Sequence, residues 1–196
     1  MKYKKKEERF MPTVAELETE LKREKYRITY VRVLLSTIYT LVTVAAVAVL
    51  IAVLLLPVLQ IYGSSMTPCL EEDDIVLSVK SSELKSGEVV AFYYNNKILI
   101  KRVIACPGDW VNIDEEGNVY VNNELLDEPY VQDKAFGDCN IELPYQVPDE
   151  RYFVMGDHRS VSVDSRNSMV GCVSEEQVVG EIIFRIWPIT RIGKIS

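Results

Sequence analysis

The first third of the chain is dominated by a long apolar segment, residues 33–61, that contains no charged side chain. A helix of about 20 apolar residues crosses a bilayer, so this segment can span a membrane with some tilt. The apolar core of a cleaved signal sequence is shorter, about 7 to 15 residues, and precedes a small-x-small cleavage site. Leu59-Gln60-Ile61-Tyr62 offers no such site. We therefore predict an uncleaved transmembrane anchor over residues 33–59.

A second helical pattern precedes the anchor. Thr13 followed by Glu16 is a capping-box signature. Apolar side chains then recur at helical spacing through a charged stretch, at Val14, Leu17 and Leu21. We predict a basic cytoplasmic region over residues 1–32, made of a tail over residues 1–12 and a short amphipathic helix.

After Tyr62 the pattern changes to short strand-like runs that are broken by turn residues. Asn95-Asn96 and Gly117 are placed as hairpin turns. The predicted strands are Ile75–Val79, Glu88–Tyr94, Ile98–Cys106, Asn118–Val121, Tyr152–Met155 and Val179–Ile186. We therefore predict a mainly β domain over residues 60–196, a partly open β-barrel or folded sheet, behind one N-terminal transmembrane helix.

Charge divides sharply at the apolar segment. Residues 1–32 contain ten Lys/Arg and six Glu, a net charge of +4, whereas the remainder contains 12 Lys/Arg and 23 Asp/Glu, a net charge of −11. Basic residues beside a first spanning helix favour the cytoplasmic side. We predict a single-pass protein of the cell membrane, with the lipid bilayer as a partner, its N-terminus in the cytoplasm and residues 62–196 outside. The acidic outer domain argues against nucleic acid as a partner.

The four cysteines, Cys69, Cys106, Cys139 and Cys172, form no CxxC pair. A zinc site is therefore not expected, and we predict neither a metal nor another cofactor. An extracytoplasmic location permits disulfides, but the spacing does not determine any pairing, so free thiols are the default expectation.

Three clusters combine residues that could carry chemistry: Gly63–Pro68, Lys101–Asp109 and Met155–Ser168. Each also has an ordinary explanation, namely a turn, a strand lysine that reaches solvent and a polar loop. A chemical argument singles out Lys101, because apolar residues precede and follow it. Burial disfavours the charged amine, and a neutral amine could accept a serine proton. His158 is the only histidine, so at most one Ser-His-Asp triad is possible.

At these residues the sequence resembles the type I signal peptidases, the bacterial leader peptidase family. Ser65-Met66-Thr67-Pro68 matches the family's Ser-Met-x-Pro motif. Lys101-Arg102, followed by Pro107-Gly108-Asp109, matches its lysine motif. Residues 156–166 match Gly-Asp-Asn-Arg-x-x-Ser-x-Asp-Ser-Arg with one change. The three motifs stand in the family's order behind an N-terminal anchor, and the resemblance covers nearly the whole chain.

The resemblance implies a serine endopeptidase with a Ser-Lys dyad. Ser65 would be the nucleophile and Lys101 the general base. Ser162 would orient the lysine amine, and Asp164 and Arg166 would form a charged pair that braces the site. The other motif residues, Arg102, Gly156, Asp157 and Arg159, would belong to the scaffold.

The resemblance also implies the substrates, which are signal peptides of secreted preproteins, with the secretion translocon as a further candidate partner. The family binds an extended chain as an added strand and selects small residues at the first and third positions before the cut. Residues that match its pocket are Ile61, Met66, Leu70, Leu99 and Ile100. For Leu70, an ordinary place in the core is an equal alternative.

Three positions depart from the family pattern. Gly63 stands where some members carry a serine that binds the oxyanion, so no side-chain donor is assigned there. His158 replaces an asparagine, and Cys69 replaces a residue that is often threonine. Two other functions compete with the signal peptidase interpretation: a Ser-Lys autoprotease of the repressor-cleaving type, and a membrane-tethered β domain without enzymatic activity.

Overall fold

A computed structural model describes residues 13–55, 57–80 and 83–195. Contacts divide the chain into two compact units, Met1–Ala52 and Val53–Ser196.

Among the described residues, the first unit has one helix, α1 (Val14–Leu55), whose last three residues belong to the second unit. The Thr13 backbone N–H donates to the Glu16 carboxylate at 2.9 Å, which satisfies one of the free amides at the helix start. Within Val14–Leu50, an 18-residue window reaches a mean hydropathy of 2.3, so the helix is long and apolar enough to span a membrane. The predicted amphipathic helix and anchor therefore form one element.

The end of α1 differs from the predicted anchor boundary at residue 59. The helix ends at Leu55, and two apolar residues of the predicted anchor, Val58 and Leu59, lie in a strand. Pro57 explains the break, since proline has no backbone N–H and disfavours helical conformation in the residue before it.

In the described residues of the second unit there are twelve strands. They are β1 (Val58–Gln60), β2 (Ile75–Val79), β3 (Val89–Tyr94), β4 (Lys97–Ala105), β5 (Trp110–Ile113), β6 (Val119–Val121), β7 (Glu124–Leu125), β8 (Tyr145–Gln146), β9 (Arg151–Met155), β10 (Val173–Ser174), β11 (Val178–Trp187) and β12 (Gly193–Lys194). Two 3-10 turns span Glu175–Gln177 and Ile189–Arg191. All six predicted strands are present, each within one residue at either end.

An antiparallel sheet of eight strands forms the frame, in the order β1-β2-β11-β3-β4-β9-β10 with β12 paired to β11. Asn95 and Asn96 close the β3–β4 hairpin with φ values of 44° and 64°, as a tight turn of this type requires. Alternating residues of β3 enter different apolar cores. Val89 and Ala91 belong to one cluster, whereas Val90 and Phe92 belong to another.

A smaller sheet, in the order β7-β6-β5-β8, packs its apolar side chains against the far end of β4 and against β9. The mainly β, partly open architecture is therefore confirmed. The four cysteines form no disulfide and remain free thiols.

Several strand edges in the large sheet have no partner strand within the described residues, and two of them belong to β4 and β1. β3 pairs with β4 along residues 97–102, but β9 pairs with β4 only from Arg102 to Ala105. The second edge of residues 97–101 is therefore open. β1 pairs only with β2, so its outer edge is open as well. An extended peptide can add to edges of this kind through main-chain hydrogen bonds.

Candidate active site

Ser65 lies in the loop that follows β1. Met66 and Leu70, on the same loop, are buried in the core, and the Leu70 amide donates to the Met66 carbonyl at 2.8 Å. At the loop's start, the Ile61 amide donates to the Asp74 carbonyl at 2.9 Å. These apolar anchors and main-chain bonds fix the loop on both sides of the serine.

Lys101 lies on β4 and reaches the serine hydroxyl. Its Nζ is 2.6 Å from Ser65 Oγ, and only 4% of the residue is exposed. The pKa of Lys101 is lowered from 10.5 to about 8, and burial is the main cause. The negative charge of Asp164 acts against this lowering, and the positive charge of Arg166 adds to it. A neutral amine at this distance can accept the hydroxyl proton, whereas an ammonium group can only donate. The two residues predicted from the motifs are thus brought together at hydrogen-bond distance.

Asp164 and Arg166 form a fully buried ion pair beside this lysine. The guanidinium Nε lies 2.8 Å from Asp164 Oδ1, and Nη2 donates to Oδ2 at 2.9 Å. The same carboxylate accepts from the Gly156 amide at 3.0 Å. Arg166 also donates to the carbonyls of Phe136 and Arg159, both at 2.9 Å. The pair therefore ties the loop after β9 to a loop of the smaller sheet.

Two further buried arginines brace the same region. Arg102 makes a two-pronged contact with Asp157 at 2.9 and 2.8 Å and lies 3.9 Å from the centre of the Tyr130 ring. Arg159 forms a two-pronged contact with Glu128. The motif analysis did not identify Glu128 or Tyr130, which lie outside all three motifs.

Ser162 lies close to the main chain of Ser65 but makes no hydrogen bond to Lys101. Its Oγ is buried and has no hydrogen-bond partner among the described residues. A Cβ on Gly156 would lie 2.3 Å from Ser162 Oγ and 2.5 Å from the Ser65 carbonyl oxygen. A glycine is therefore needed where these two groups converge. The expected orienting role of Ser162 stays a prediction.

His158 contacts the loop of Ser65 but not the serine hydroxyl. Its Nδ1 lies 3.0 Å from Thr67 Oγ1 and 3.3 Å from the Ser64 carbonyl oxygen. Its backbone N–H donates to the Ser65 carbonyl at 3.1 Å. The structure therefore brings no Ser-His-Asp triad together at Ser65, whose hydroxyl is paired with Lys101.

A cleft runs between the two open strand edges and ends at Ser65 and Lys101. Four of the five predicted pocket residues line it: Ile61, Met66, Leu99 and Ile100. Leu70 does not line it and is fully buried in the core beneath the loop, which corrects that prediction. Sequence reasoning missed the other lining residues, which are Val58, Leu59, Gln60, Tyr62, Gly63, Tyr93, Asn96, Lys97 and Ile98. The predicted turn at Asn95-Asn96 was the available signal, since it places the hairpin tip beside Leu99.

A family model described as "Signal peptidase, peptidase S26" matches residues 34–187 of the chain. The chain belongs to this family. The resemblance to type I signal peptidases is confirmed, and the chain is a peptidase of the signal peptidase I group. The two competing interpretations, an autoprotease and a non-enzymatic domain, are therefore rejected. In the part of the chain that the structure describes, no cluster of His, Cys, Asp and Glu is arranged to hold a metal ion.

Individual signal peptidases resemble the chain over most of its length. Signal peptidase I of Bacillus amyloliquefaciens is 32% identical over 185 residues, which cover 89% of this chain and 99% of that protein. Probable signal peptidase I-2 of Synechocystis is 34% identical, over 80% of this chain and 75% of that protein. A signal peptidase I from Enterococcus faecalis V583, of known crystal structure, is 28% identical with a TM-score of 0.42, over 51% of this chain and 97% of that one.

Proposed function

We propose that this chain removes signal peptides from exported preproteins, with Ser65 as nucleophile and Lys101 as general base. The observation that carries the proposal is the 2.6 Å contact between Lys101 Nζ and Ser65 Oγ at a buried lysine whose pKa is lowered to about 8. Near neutral pH a useful fraction of such an amine is unprotonated, and it is within reach of the proton that it must accept.

The reaction begins when the neutral Lys101 amine takes the Ser65 proton and Oγ attacks the scissile carbonyl. The Ser65 backbone N–H has no acceptor among the described residues and is available to the developing oxyanion. Gly63 offers no side-chain donor, and the space beside its Cα is open, since a Cβ added there would have no atom within 4 Å. Lys101 then gives this proton to the leaving amine. In the second half of the reaction, water attacks the acyl group, Lys101 accepts the proton of the water, and the proton returns to Ser65 Oγ as the acyl group leaves.

The substrate binds in the cleft as an extended strand. The open edge of residues 97–101 offers main-chain groups for affinity, and Ile61, Met66 and Ile100 offer an apolar wall for selection. Because Met66 is 2% exposed and Ile61 3%, these side chains are packed on their other sides and leave little depth for a large substrate side chain. We propose on this basis, and on the family resemblance, a preference for small residues at the first and third positions before the cut.

The peptidase works from the outer face of the cell membrane, anchored by α1 and with its N-terminus in the cytoplasm. The support is the length and hydropathy of α1 and the net charge of +4 over residues 1–32. Protease added to intact spheroplasts should digest residues 62–196. Digestion restricted to the first 32 residues would reverse the orientation.

The decisive experiment compares two adjacent serines on one lipid-embedded preprotein. Ser65→Ala should lose cleavage by about three or more orders of magnitude, since only binding and oxyanion effects remain. Ser64→Ala is the matched control, because Ser64 is exposed and only its carbonyl makes hydrogen bonds. It should keep most of its rate.

A serine-reactive acylating probe should label the wild type and Ser64→Ala but not Ser65→Ala. Activity of Ser65→Ala beside an inactive Ser64→Ala would overturn the assignment. Equal moderate losses would indicate a structural loop without a nucleophile.

A further inference from the structure

The imidazole of His158 is directed at the segment that carries the nucleophile. Its Nδ1 contacts Thr67 Oγ1 at 3.0 Å and the Ser64 carbonyl oxygen at 3.3 Å, on opposite sides of Ser65 in the chain. Within the described residues its other ring nitrogen, Nε2, has no hydrogen bond. The ring is half-buried, so the contacts to this turn are partly shielded from water.

The direction of these hydrogen bonds can be assigned. The Thr67 hydroxyl donates its single proton to the Ser64 carbonyl at 2.8 Å, so Oγ1 is left as an acceptor toward His158. The Ser64 carbonyl is also an acceptor. Both contacts therefore require a proton on Nδ1. That proton is present in one neutral tautomer and in the imidazolium ion, so protonation of Nε2 leaves both bonds intact.

We propose that His158 is a positioning residue for Ser65, acting through Thr67 Oγ1 and the Ser64 carbonyl. The ring holds residues 64–67 in place through these two contacts, and this segment keeps Ser65 Oγ at 2.6 Å from Lys101 Nζ. Proton transfer across this contact is sensitive to distance, and a displacement of about 1 Å in a reacting group can cost about 100-fold in rate. The proposal rests on the proposed Ser65–Lys101 chemistry.

The side chain can be tested apart from the main chain. The His158 backbone N–H donates to the Ser65 carbonyl at 3.1 Å, and no substitution except proline removes that bond. Asparagine places its amide nitrogen the same number of bonds from Cα as Nδ1, whereas glutamine places it one bond farther, as for Nε2. His158→Asn and His158→Gln therefore differ mainly in whether a donor stands at the Nδ1 position.

The experiment measures kcat, KM and thermal midpoint for the full-length chain in lipid, on one preprotein. His158→Asn should stay within about threefold of wild type in kcat. His158→Gln and His158→Ala should lose about 10- to 100-fold in kcat, with KM changed less than threefold, because positioning acts on the transition state. Ser160→Ala is the control: it alters an exposed residue of the same loop that makes no side-chain hydrogen bond within the described residues, and it should match wild type.

A double variant tests the path through the threonine. Thr67→Val removes the acceptor, so adding His158→Ala to Thr67→Val should cost less than His158→Ala costs in the wild type. Full additivity would remove Thr67 from the path and overturn the proposal as stated.

Three other results would also overturn it. Equal kcat for the Asn, Gln and Ala variants would remove the donor role. An inactive but folded His158→Asn would indicate chemistry by the imidazole itself. Losses confined to KM would indicate substrate binding. If His158→Ala does not fold, the comparison of Asn with Gln still decides. Ser65→Ala in the same assay separates the two proposals, since its activity tests the nucleophile without involving His158.

Discussion

The titration of Lys101 gives the sharpest quantitative expectation. Its pKa lies at about 8 instead of 10.5, chiefly because burial disfavours the ammonium form. At pH 7 a pKa of 8 leaves about 9% of the amine neutral, whereas 10.5 leaves about 0.03%, a difference of roughly 300-fold. The shift corresponds to about 3 kcal/mol. Burial of this one side chain therefore supplies most of the base that is available at neutral pH.

The assay is kcat/KM against pH, from about pH 6 to 10, for the full-length chain in lipid with one preprotein at constant ionic strength. This ratio reports the ionisation of the free enzyme. For a pKa of 8, the ratio should rise about tenfold between pH 7 and 9 and then level off. An unshifted lysine would give a rise of about 100-fold over that interval, with further increase above pH 10.

The control for this profile is His158→Asn, which removes the only histidine of the chain. The rise at about pH 8 should persist in that variant. A rise that continues to pH 10 in the wild type would refute the argument from burial. A rise that disappears when the histidine is replaced would assign the base to His158 and not to Lys101.

Three further predictions concern the surroundings of the dyad. Lys101→Met should raise the thermal midpoint, because the folded-state pKa of Lys101 lies below its unfolded value and the buried lysine therefore destabilises the fold. This destabilisation is fully present below pH 8 and vanishes above about pH 10.5. Melts should show the gain at pH 7 and its decline toward pH 10, and equal gains would contradict it. Asp164→Asn should move the activity profile to lower pH, because this carboxylate raises the pKa of Lys101. It should also lower the melting temperature, because it breaks a buried ion pair. An unchanged profile would exclude an electrostatic effect of Asp164 on the pKa of Lys101. Gly156→Ala should lose at least about tenfold in kcat, because the new Cβ would lie 2.5 Å from the Ser65 carbonyl oxygen, whereas Gly193→Ala, with no atom within 4 Å, should match wild type in activity.

Six strands were predicted from the sequence, and five of them contain at least five residues, enough for a pattern to show, whereas β5, with four residues, was missed. β2 was predicted with both ends correct, and the others differ by at most one residue at either end. β7, β8, β10 and β12 have two residues each, which is too few for an alternation. β1 was hidden for a different reason. Its residues are mostly apolar and continue the hydrophobic segment, so only Pro57 indicated where the helix ends.

The contact between Ser65 and Lys101 was predictable because local motifs mark both residues, although they are 36 positions apart in the chain. Leu70 shows that a residue's role cannot always be inferred from its position in the family's motif. It stands where the family has a pocket residue, yet it has no exposed surface here and serves packing. Glu128 could not have been predicted, because it lies in a segment without periodicity and meets Arg159 from 31 residues away. Contacts of this kind are set by the fold of the loops, which no local pattern encodes.

Lys101 has a lowered pKa although two buried ion pairs place carboxylates near its amine. The carboxylates of Asp157 and Asp164 both raise the pKa of Lys101, which by itself would favour the inactive ammonium form. Arg166, paired with Asp164, opposes this by lowering it. Arg102 holds the Asp157 carboxylate in a two-pronged contact.

Desolvation is the largest contribution and outweighs the two carboxylates, and Arg166 is the guanidinium that adds to the lowering of the pKa of Lys101. A buried ion pair is weak evidence for stability, because removing two charges from water is costly. At this site Arg166 has a separate consequence, which is to oppose the effect of Asp164 on the pKa of the proposed base. Arginine suits this task better than lysine, since it stays charged when buried and can hold both carboxylate oxygens at once.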